Sequence, residues 1–219
     1  MLSGRYPKRR MRVVPNPISI PGQVTPLELR ERIIVNVGSI GRMKNQKALV
    51  RIFARLESNV DWRLILIGDG PERPGLEQKV RELGLEDRIE FLGERKDVLT
   101  WLDRARVFAF TSLKEGFPNA LSEALAAGCA CVSYDCPTGP SDLIQHEVNG
   151  LLVPNDDEVI FAQQLERLIS DEALQVHLSR QARKDIGRFS EDGVLEQFDR
   201  LIAEIMGHDL DRTKDPCDS

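Results

Sequence analysis

The sequence predicts an α/β domain, a doubly wound six-stranded parallel sheet followed by helices. Short apolar runs recur six times between residues 32 and 154. A turn and a stretch of helical period follow each of the first five. The runs are apolar at consecutive positions rather than alternate ones, which is the pattern of strands buried on both faces.

The elements follow in order. "RIIVNVG" (32–38) reads as the first strand. Ala48, Leu49, Ile52, Phe53 and Leu56 then share one helical face. "WRLILIG" (62–68) is the second strand, with a helix over 74–83. "RIEFLG" (88–93) is the third, followed by the helical "DVLTWLDRA". "VFAFTS" (107–112) is the fourth, and its helix lies in "EGFPNALSEALAAG", with Asn119 as the expected N-cap. "ACVSY" (130–134) is the fifth, followed by a helix in "PSDLIQH", and "GLLVP" (150–154) is the sixth. Three helices close the chain over 158–170, 171–187 and 191–206, the last with a stripe of Val194, Phe198, Leu201, Ile202 and Ile205. This is a Rossmann-like domain over 31–207. Residues 1–30 hold five of the twelve prolines and no period, and read as an extended connector. Residues 208–219 are polar and are expected to be a disordered tail. No internal repeat is found.

Composition excludes several functions. The net charge of -5 argues against a general nucleic-acid binder. The one basic cluster, "YPKRRMR" at 6–12, reads as a solvated linker. No apolar run approaches the roughly 20 residues that span a bilayer, and the charged N-terminus has no apolar core of a signal peptide behind it. The expected location is the cytoplasm, or the cytoplasmic face of the membrane through a partner. Cys129, Cys131, Cys136 and Cys217 lack zinc-site spacing and read as small reduced core residues.

Ligands of such sheets bind beyond the carboxyl ends of the strands, so the loops there are the candidates. In "GSIGRMKNQK", Gly38 and Gly41 allow a tight turn, and Arg42 and Lys47 place positive charge beside a helix start, an anion site suited to a diphosphate. It is neither a P-loop nor a full G-x-G-x-x-G. "GDGPERPGLE" reads as a structural turn, and Gly93, Glu94 and Arg95 as a place where backbone groups can meet the edge of a base. Glu115 lies on the loop after the fourth strand and Glu123 near the start of the helix. On one continuous helix they would sit about 12 Å apart along the axis, but the Gly116–Pro118 turn lets both carboxylates face one pocket. Taken alone, Glu123 equally suits a helix start for dipole reasons. Thr138 and Gly139 make a further tight turn.

Taken in order, "GSIGRMKNQK", "LIGDGPER", "FLGERKDV", "TSLKEGFPNALSEALAAGCACVS" and "PTGPSDLIQHEVNGLLVP" resemble the C-terminal, nucleotide-sugar-binding domain of family 4 retaining glycosyltransferases, which have the GT-B fold. The resemblance covers residues 13–206, and "EGFPNALSE" matches that family's E-x7-E signature. It implies that Glu123 binds the ribose hydroxyls and that Glu115 contacts the donor sugar, positioning it rather than attacking it. Gly116, Phe117, Asn119, Ala120 and Leu121 would meet the sugar or distal phosphate. Gly41, Arg42 and Lys47 would hold the diphosphate, with Arg42, Lys47 and Glu115 as the catalytic set, and Gly93, Glu94 and Arg95 would line the base.

The donor it implies is a nucleotide sugar, most often a UDP-sugar, carrying a hexose or N-acetylhexosamine to a glycan or lipid-linked acceptor. It implies no cofactor and no metal; the one D-x-D, Asp209 to Asp211, falls in the tail. "VVPNPIS" resembles the linker that enters this domain. The acceptor domain is therefore expected in a longer chain or a partner chain, with peripheral membrane association through that partner. The alternative is a binding module without turnover, or one subunit of a split transferase. A nicotinamide-dependent oxidoreductase fits poorly, because "GSIGRM" lacks the third glycine. A sugar-nucleotide epimerase of the same fold would also need a second domain.

Overall fold

The computed structural model describes residues 16–57 and 61–206. The basic cluster at 6–12, Cys217, and the tail with Asp209 and Asp211 lie outside the described residues, as does the side chain of Ile205. The described chain forms two compact units, residues 20–187 and residues 16–19 with 188–206.

The larger unit is built on six parallel strands: β1 Glu31–Val37, β2 Arg63–Ile67, β3 Ile89–Gly93, β4 Ala105–Phe110, β5 Ala130–Asp135 and β6 Leu151–Pro154. Their order is β3-β2-β1-β4-β5-β6. The chain winds outward from β1 to β3, crosses back, and winds the other way from β4 to β6. The switch point lies between β1 and β4, where loops of opposite winding diverge and leave a crevice. Seven α-helices lie within this unit: α1 Gln46–Arg55, α2 Arg73–Glu82, α3 Val98–Arg104, α4 Asn119–Ala126 and α5 Pro140–Leu143 connect the strands, and α6 Glu158–Ser170 and α7 Glu172–Asp185 follow the last.

Consecutive apolar residues become two cores. One cluster holds Ile34, Leu64, Leu66, Val107, Ala109, Val132 and Tyr134 from the strands with Leu49, Ile52 and Phe53 of α1 and Phe161 and Leu165 of α6. Tyr134 meets Phe161 edge to face at 4.9 Å. The intervening strand residues, Ile33, Val35, Ile65, Phe108 and Phe110 among them, are equally buried. The expected face of α1 is wholly buried: Ala48, Leu49, Ile52, Phe53 and Leu56. All six strands lie within two residues of their expected positions.

Two local expectations are corrected. Asn119 is the first residue of α4 rather than its cap; Pro118 occupies that position, and no side chain caps the helix. Proline holds its own φ, and its carbonyl accepts the Ser122 N–H at 3.0 Å, so the turn starts one residue early. The helix expected through "PSDLIQH" stops at Leu143. Asn149 ends it: its side chain accepts from the Gln145 N–H at 2.8 Å and donates to the Leu143 carbonyl at 3.2 Å, taking over groups a longer helix would use.

Arg30, in the stretch read as a connector, is 5% exposed. Its guanidinium donates to four carbonyls, Thr25 at 2.9 Å, Leu102 and Ala105 at 3.2 Å, and Ala127 at 2.7 Å. Asp103 lies 3.8 Å away and accepts from the Thr25 N–H and hydroxyl at 2.7 Å each. Arg106 extends the network, donating to the carbonyls of Arg30 at 3.0 Å and Glu28 at 2.7 Å. This staple ties the chain before β1 to the start of β4 and the end of α4.

In the smaller unit, α8 spans Glu191–Met206. Ser190 opens it, with its hydroxyl accepting the Gly193 N–H at 3.1 Å and its carbonyl the Val194 N–H at 2.9 Å. The expected apolar stripe divides: Val194 is buried, while Phe198 is 45% and Ile202 51% exposed.

Replacing Arg30 strands three buried carbonyls and a part-buried one. Arg30→Met is expected to lose roughly 3 kcal/mol, lowering Tm by about 6–12 °C. Arg32→Met, which breaks only the exposed pair with Asp61, should stay within about 0.5 kcal/mol of wild type. Thermal denaturation of both variants checks this, and equal Tm values would show that the staple contributes nothing.

Candidate functional site

The loop after β1 lies on the loop after β2. The Gly38 N–H donates to the Ile67 carbonyl and the Ile40 N–H to the Asp69 carbonyl, both at 2.9 Å. The backbones are so close that a Cβ on Gly68 would stand 2.1 Å from the Gly38 oxygen, and one on Gly70 2.2 Å from the Ile40 oxygen. "GDG" is thus glycine for lack of space, as its reading as a structural turn implies. Gln46, buried at the start of α1, secures the same loop from the other side. Its amide donates to the Ser39 carbonyl at 3.1 Å and accepts the Gly41 N–H at 3.3 Å. Arg42 and Lys47 project from this held loop and are exposed. Neither has an ion-pair or side-chain hydrogen-bond partner among the described residues.

Lys44, between them, is different. Its ammonium meets Glu115 Oε1 at 2.6 Å, with the lysine side chain 27% and the glutamate 10% exposed. The loop bearing Glu115 is fixed to the β1 loop through Leu113 N–H to the Met43 carbonyl at 2.8 Å and Thr111 Oγ1 to the Lys44 carbonyl at 3.1 Å. The loop after β5 secures it from the other flank: the Thr138 hydroxyl donates to the Glu115 carbonyl. Thr138 holds φ at 66°, unusual for a β-branched residue. Gly139 beside it has φ 110° and packs so tightly that a Cβ would stand 2.4 Å from Pro118 Cδ. Three loops from the switch-point side of the sheet therefore converge on Glu115.

Glu123, in the second turn of α4, is half-buried. Its carboxylate has no ion-pair or hydrogen-bond partner among the described residues, and burial raises its pKa above the ordinary carboxylate value. Leu121 is buried, Ala120 and Phe117 partly so, and Asn119 and Gly116 exposed. Gly93 ends β3 at φ 66°, and Glu94 beyond it is exposed. Arg95 makes a two-pronged bond to Asp97, 2.8 Å on each branch, so its guanidinium is already engaged. Lys47, with Gln46, Glu72 and Lys79, lines a cavity of about 300 Å³ between α1 and α2, which neither Glu115 nor Glu123 reaches. Cys129, Cys131 and Cys136 are free and buried, and burial raises their thiols, Cys129 to about 12 and Cys136 to about 11. They are inert core residues, as expected. Sequence reading missed Lys44; it read Thr138 in a tight turn that either closes one wall of the site or is only a loop and cap. Nothing in "GRMKNQK" separates Lys44 from its neighbours; only the β1–β4 adjacency does.

The chain and its fold are similar to known proteins. The family model described as glycosyl transferases group 1 matches residues 23–185. The chain belongs to this family. Among curated glycosyl transferases and related proteins, the exopolysaccharide phosphotransferase SCO2592 of Streptomyces coelicolor is 34% identical over 90% of this chain and 21% of its own length. A Campylobacter jejuni alpha-1,4-N-acetyl-D-galactosaminyltransferase acting on a diphospho-undecaprenol-linked glycan is 31% identical over 80% of this chain and 49% of its own. The chain thus spans half or less of the length of these relatives. Of solved structures, the lipopolysaccharide outer core galactosyltransferase WaaB superposes with a TM-score of 0.79 at 29% identity, covering 89% of this chain and 56% of that one. Anabaena HepE in complex with UDP gives 0.73 at 24% identity, over 80% and 49%. The sheet is therefore that of GT-B glycosyltransferases. Among the described residues no helix is long and apolar enough to cross a membrane.

Glu123 has a consequence for stability. Its folded pKa is raised, so the folded protein holds this proton more tightly than the unfolded chain. Its contribution is full at acidic pH and is lost as pH rises through the raised value. Glu123→Gln removes that loss. Because the group is half exposed and screened, the expected gain is small, about 1–2 °C in Tm at pH 7 and none near pH 4. Melting curves at both pH values check it; a variant less stable at pH 7 would mean the carboxylate has a partner.

Proposed function

We propose that this chain forms the donor half of a retaining glycosyltransferase, which passes a hexose or N-acetylhexosamine from a UDP-sugar to a glycan or lipid-linked acceptor. The acceptor is held by a domain or partner outside the sequence described. The observation that carries this reading is the pair of glutamates at the switch point: Glu115 held by the loops after β1 and β5, Glu123 half-buried and without a partner among the described residues. A carboxylate left desolvated and unpaired gains most from two hydroxyl donors, and a ribose diol offers them.

In this reading Glu123 accepts the ribose hydroxyls. Arg42, Lys47, Gly41 and the N–H groups of Ala120 and Leu121 at the start of α4 hold the diphosphate, beside Asn119, whose own N–H donates to the Phe117 carbonyl at 3.0 Å. The base lies along Gly93, Glu94 and the backbone of Arg95. Gly116 and Phe117 border the sugar, which Glu115 orients. Breaking the sugar–phosphate bond places negative charge on the departing diphosphate. The cations and the α4 N-terminus stabilise that charge more in the transition state than in the ground state, with no metal required. The uridine choice accords with HepE, crystallised with UDP and with UDP-glucose, and the N-acetylhexosamine choice with the Campylobacter jejuni relative.

Calorimetric titration with UDP, with GDP and ADP as controls and no added metal, tests the site. UDP is expected to bind selectively, with affinity falling about tenfold or more in Arg42→Ala and in Glu123→Ala. Glu115→Ala should keep most nucleotide affinity and instead lose turnover once an acceptor domain is supplied. Unchanged UDP binding in Glu123→Ala, or wild-type transfer by both glutamate variants, places the site elsewhere. UDP binding without transfer under any pairing favours a module that binds and does not turn over.

A further inference from the structure

An ammonium has three N–H donors and no acceptor. Lys44 uses one on Glu115 Oε1 at 2.6 Å. Beyond that, its nitrogen sits 5.7 Å from the centroid of the Phe110 ring. The other two N–H groups have no protein acceptor among the described residues, although the side chain is only 27% exposed. A partly buried cation with unused donors is poised for an anion.

The rest of the residue is held in place for that. Its N–H donates to the Gly41 carbonyl at 3.1 Å, and its carbonyl accepts the Thr111 hydroxyl at 3.1 Å. Its stem runs beside the bare Cα of Gly38, where a Cβ would stand 3.4 Å from Cδ and Cε. Glu115 is held in turn by Thr138. Neither partner must be ordered when a ligand arrives, which removes an entropic penalty from binding.

We propose that Lys44 is a third cation of the donor site, bridging the Glu115 carboxylate to the phosphate that bears the sugar. This rests on the donor-site reading above. Among the described residues Arg42 and Lys47 have no partner, whereas Lys44 touches the sugar-orienting carboxylate, and so of these three cations it is the one that couples diphosphate recognition to the placement of Glu115. The chemistry it recognises is the distal phosphate of a nucleoside diphosphate; a monophosphate lacks that group.

Calorimetry with UMP, UDP and UDP-glucose on wild type, Lys44→Met, Lys44→Arg and the double variant Lys44→Met/Glu115→Gln tests this. Wild type should bind UDP more tightly than UMP. Lys44→Met should lose about tenfold in UDP and UDP-glucose affinity and at most twofold in UMP, and Lys44→Arg should recover part of the loss. The double variant leaves no stray carboxylate charge and should still bind UDP as weakly as Lys44→Met. Equal losses for UMP and UDP would make Lys44 a scaffold residue and overturn the proposal. So would full recovery of UDP affinity in the double variant, which would trace the loss to unpaired Glu115. If wild type binds none of the nucleotides, the donor-site reading itself fails and this inference falls with it; wild-type binding with an unaltered Lys44→Met sinks this inference alone.

Discussion

The candidate site depends on one steric constraint, the bare contact between the backbones of the loops after β1 and β2. Gly68 and Gly70 lie under the carbonyls of Gly38 and Ile40 at distances no side chain would permit. The contact extends the β1–β2 pairing past the end of the sheet, so the β1 loop leaves as a supported ledge rather than a free turn. Gln46 fixes the far side of that ledge. Every charged group between 42 and 47 therefore starts from a determined position. Lys44 finds Glu115 because β4, whose following loop carries Glu115, is the neighbour of β1 across the switch point.

The ledge lets the fold tolerate charges that are not satisfied internally. Among the described residues half-buried Glu123 has no partner and Arg42 and Lys47 are unpaired, arrangements that add nothing to stability. Elsewhere in the larger unit, charge is handled in the opposite way. Arg30 and Arg106 are buried with nearly all their donors matched to carbonyls or carboxylates. Arg51 pairs with Glu158 between α1 and α6. Saturated arginines sit among the helices and the strand beginnings, and unsaturated groups sit at the carboxyl ends of β1 and β4, a division expected of a scaffold that keeps one edge in reserve for a ligand.

Much of this was legible in the sequence because it is periodic. Strands buried on both faces leave unbroken apolar runs, and α1 writes its buried face at helical spacing, so fold and loop order could be read directly. What was not legible depends on contacts between distant residues. Arg30 lies in a proline-rich stretch without period, and three of its four carbonyl partners are 72 to 97 residues away. The early end of α5 is set by the Asn149 side chain six residues beyond Leu143. Lys44 is one of three cations within six residues, and only its partner 71 positions on distinguishes it. Thr138 gives no sign in sequence that it adopts a glycine-like conformation, because the strain is accepted for a hydroxyl bond to a loop from another strand.

In the proposed reading, charge balance lets a protein of net charge -5 serve a doubly anionic donor. In the proposed site Arg42, Lys44 and Lys47 stand against Glu115 and Glu123, leaving one positive charge before the dipole of α4 is counted. The acidic excess is spread over the remaining surface, where solvent and salt screen it. The local field at the switch point therefore has the opposite sign to the field of the whole molecule. Both glutamates have to accept hydroxyls while a diphosphate lies close by, and carboxylates beside a polyanion repel it unless cations intervene. Lys44 intervenes on Glu115 directly, at hydrogen-bond distance. Glu123 has no such companion among the described residues, and in the proposed site its relief comes from distance, because a ribose bound there would separate it from the phosphates. The two carboxylates of one signature thus face the same anion by different physical means, so the first requires a lysine from another loop and the second does not.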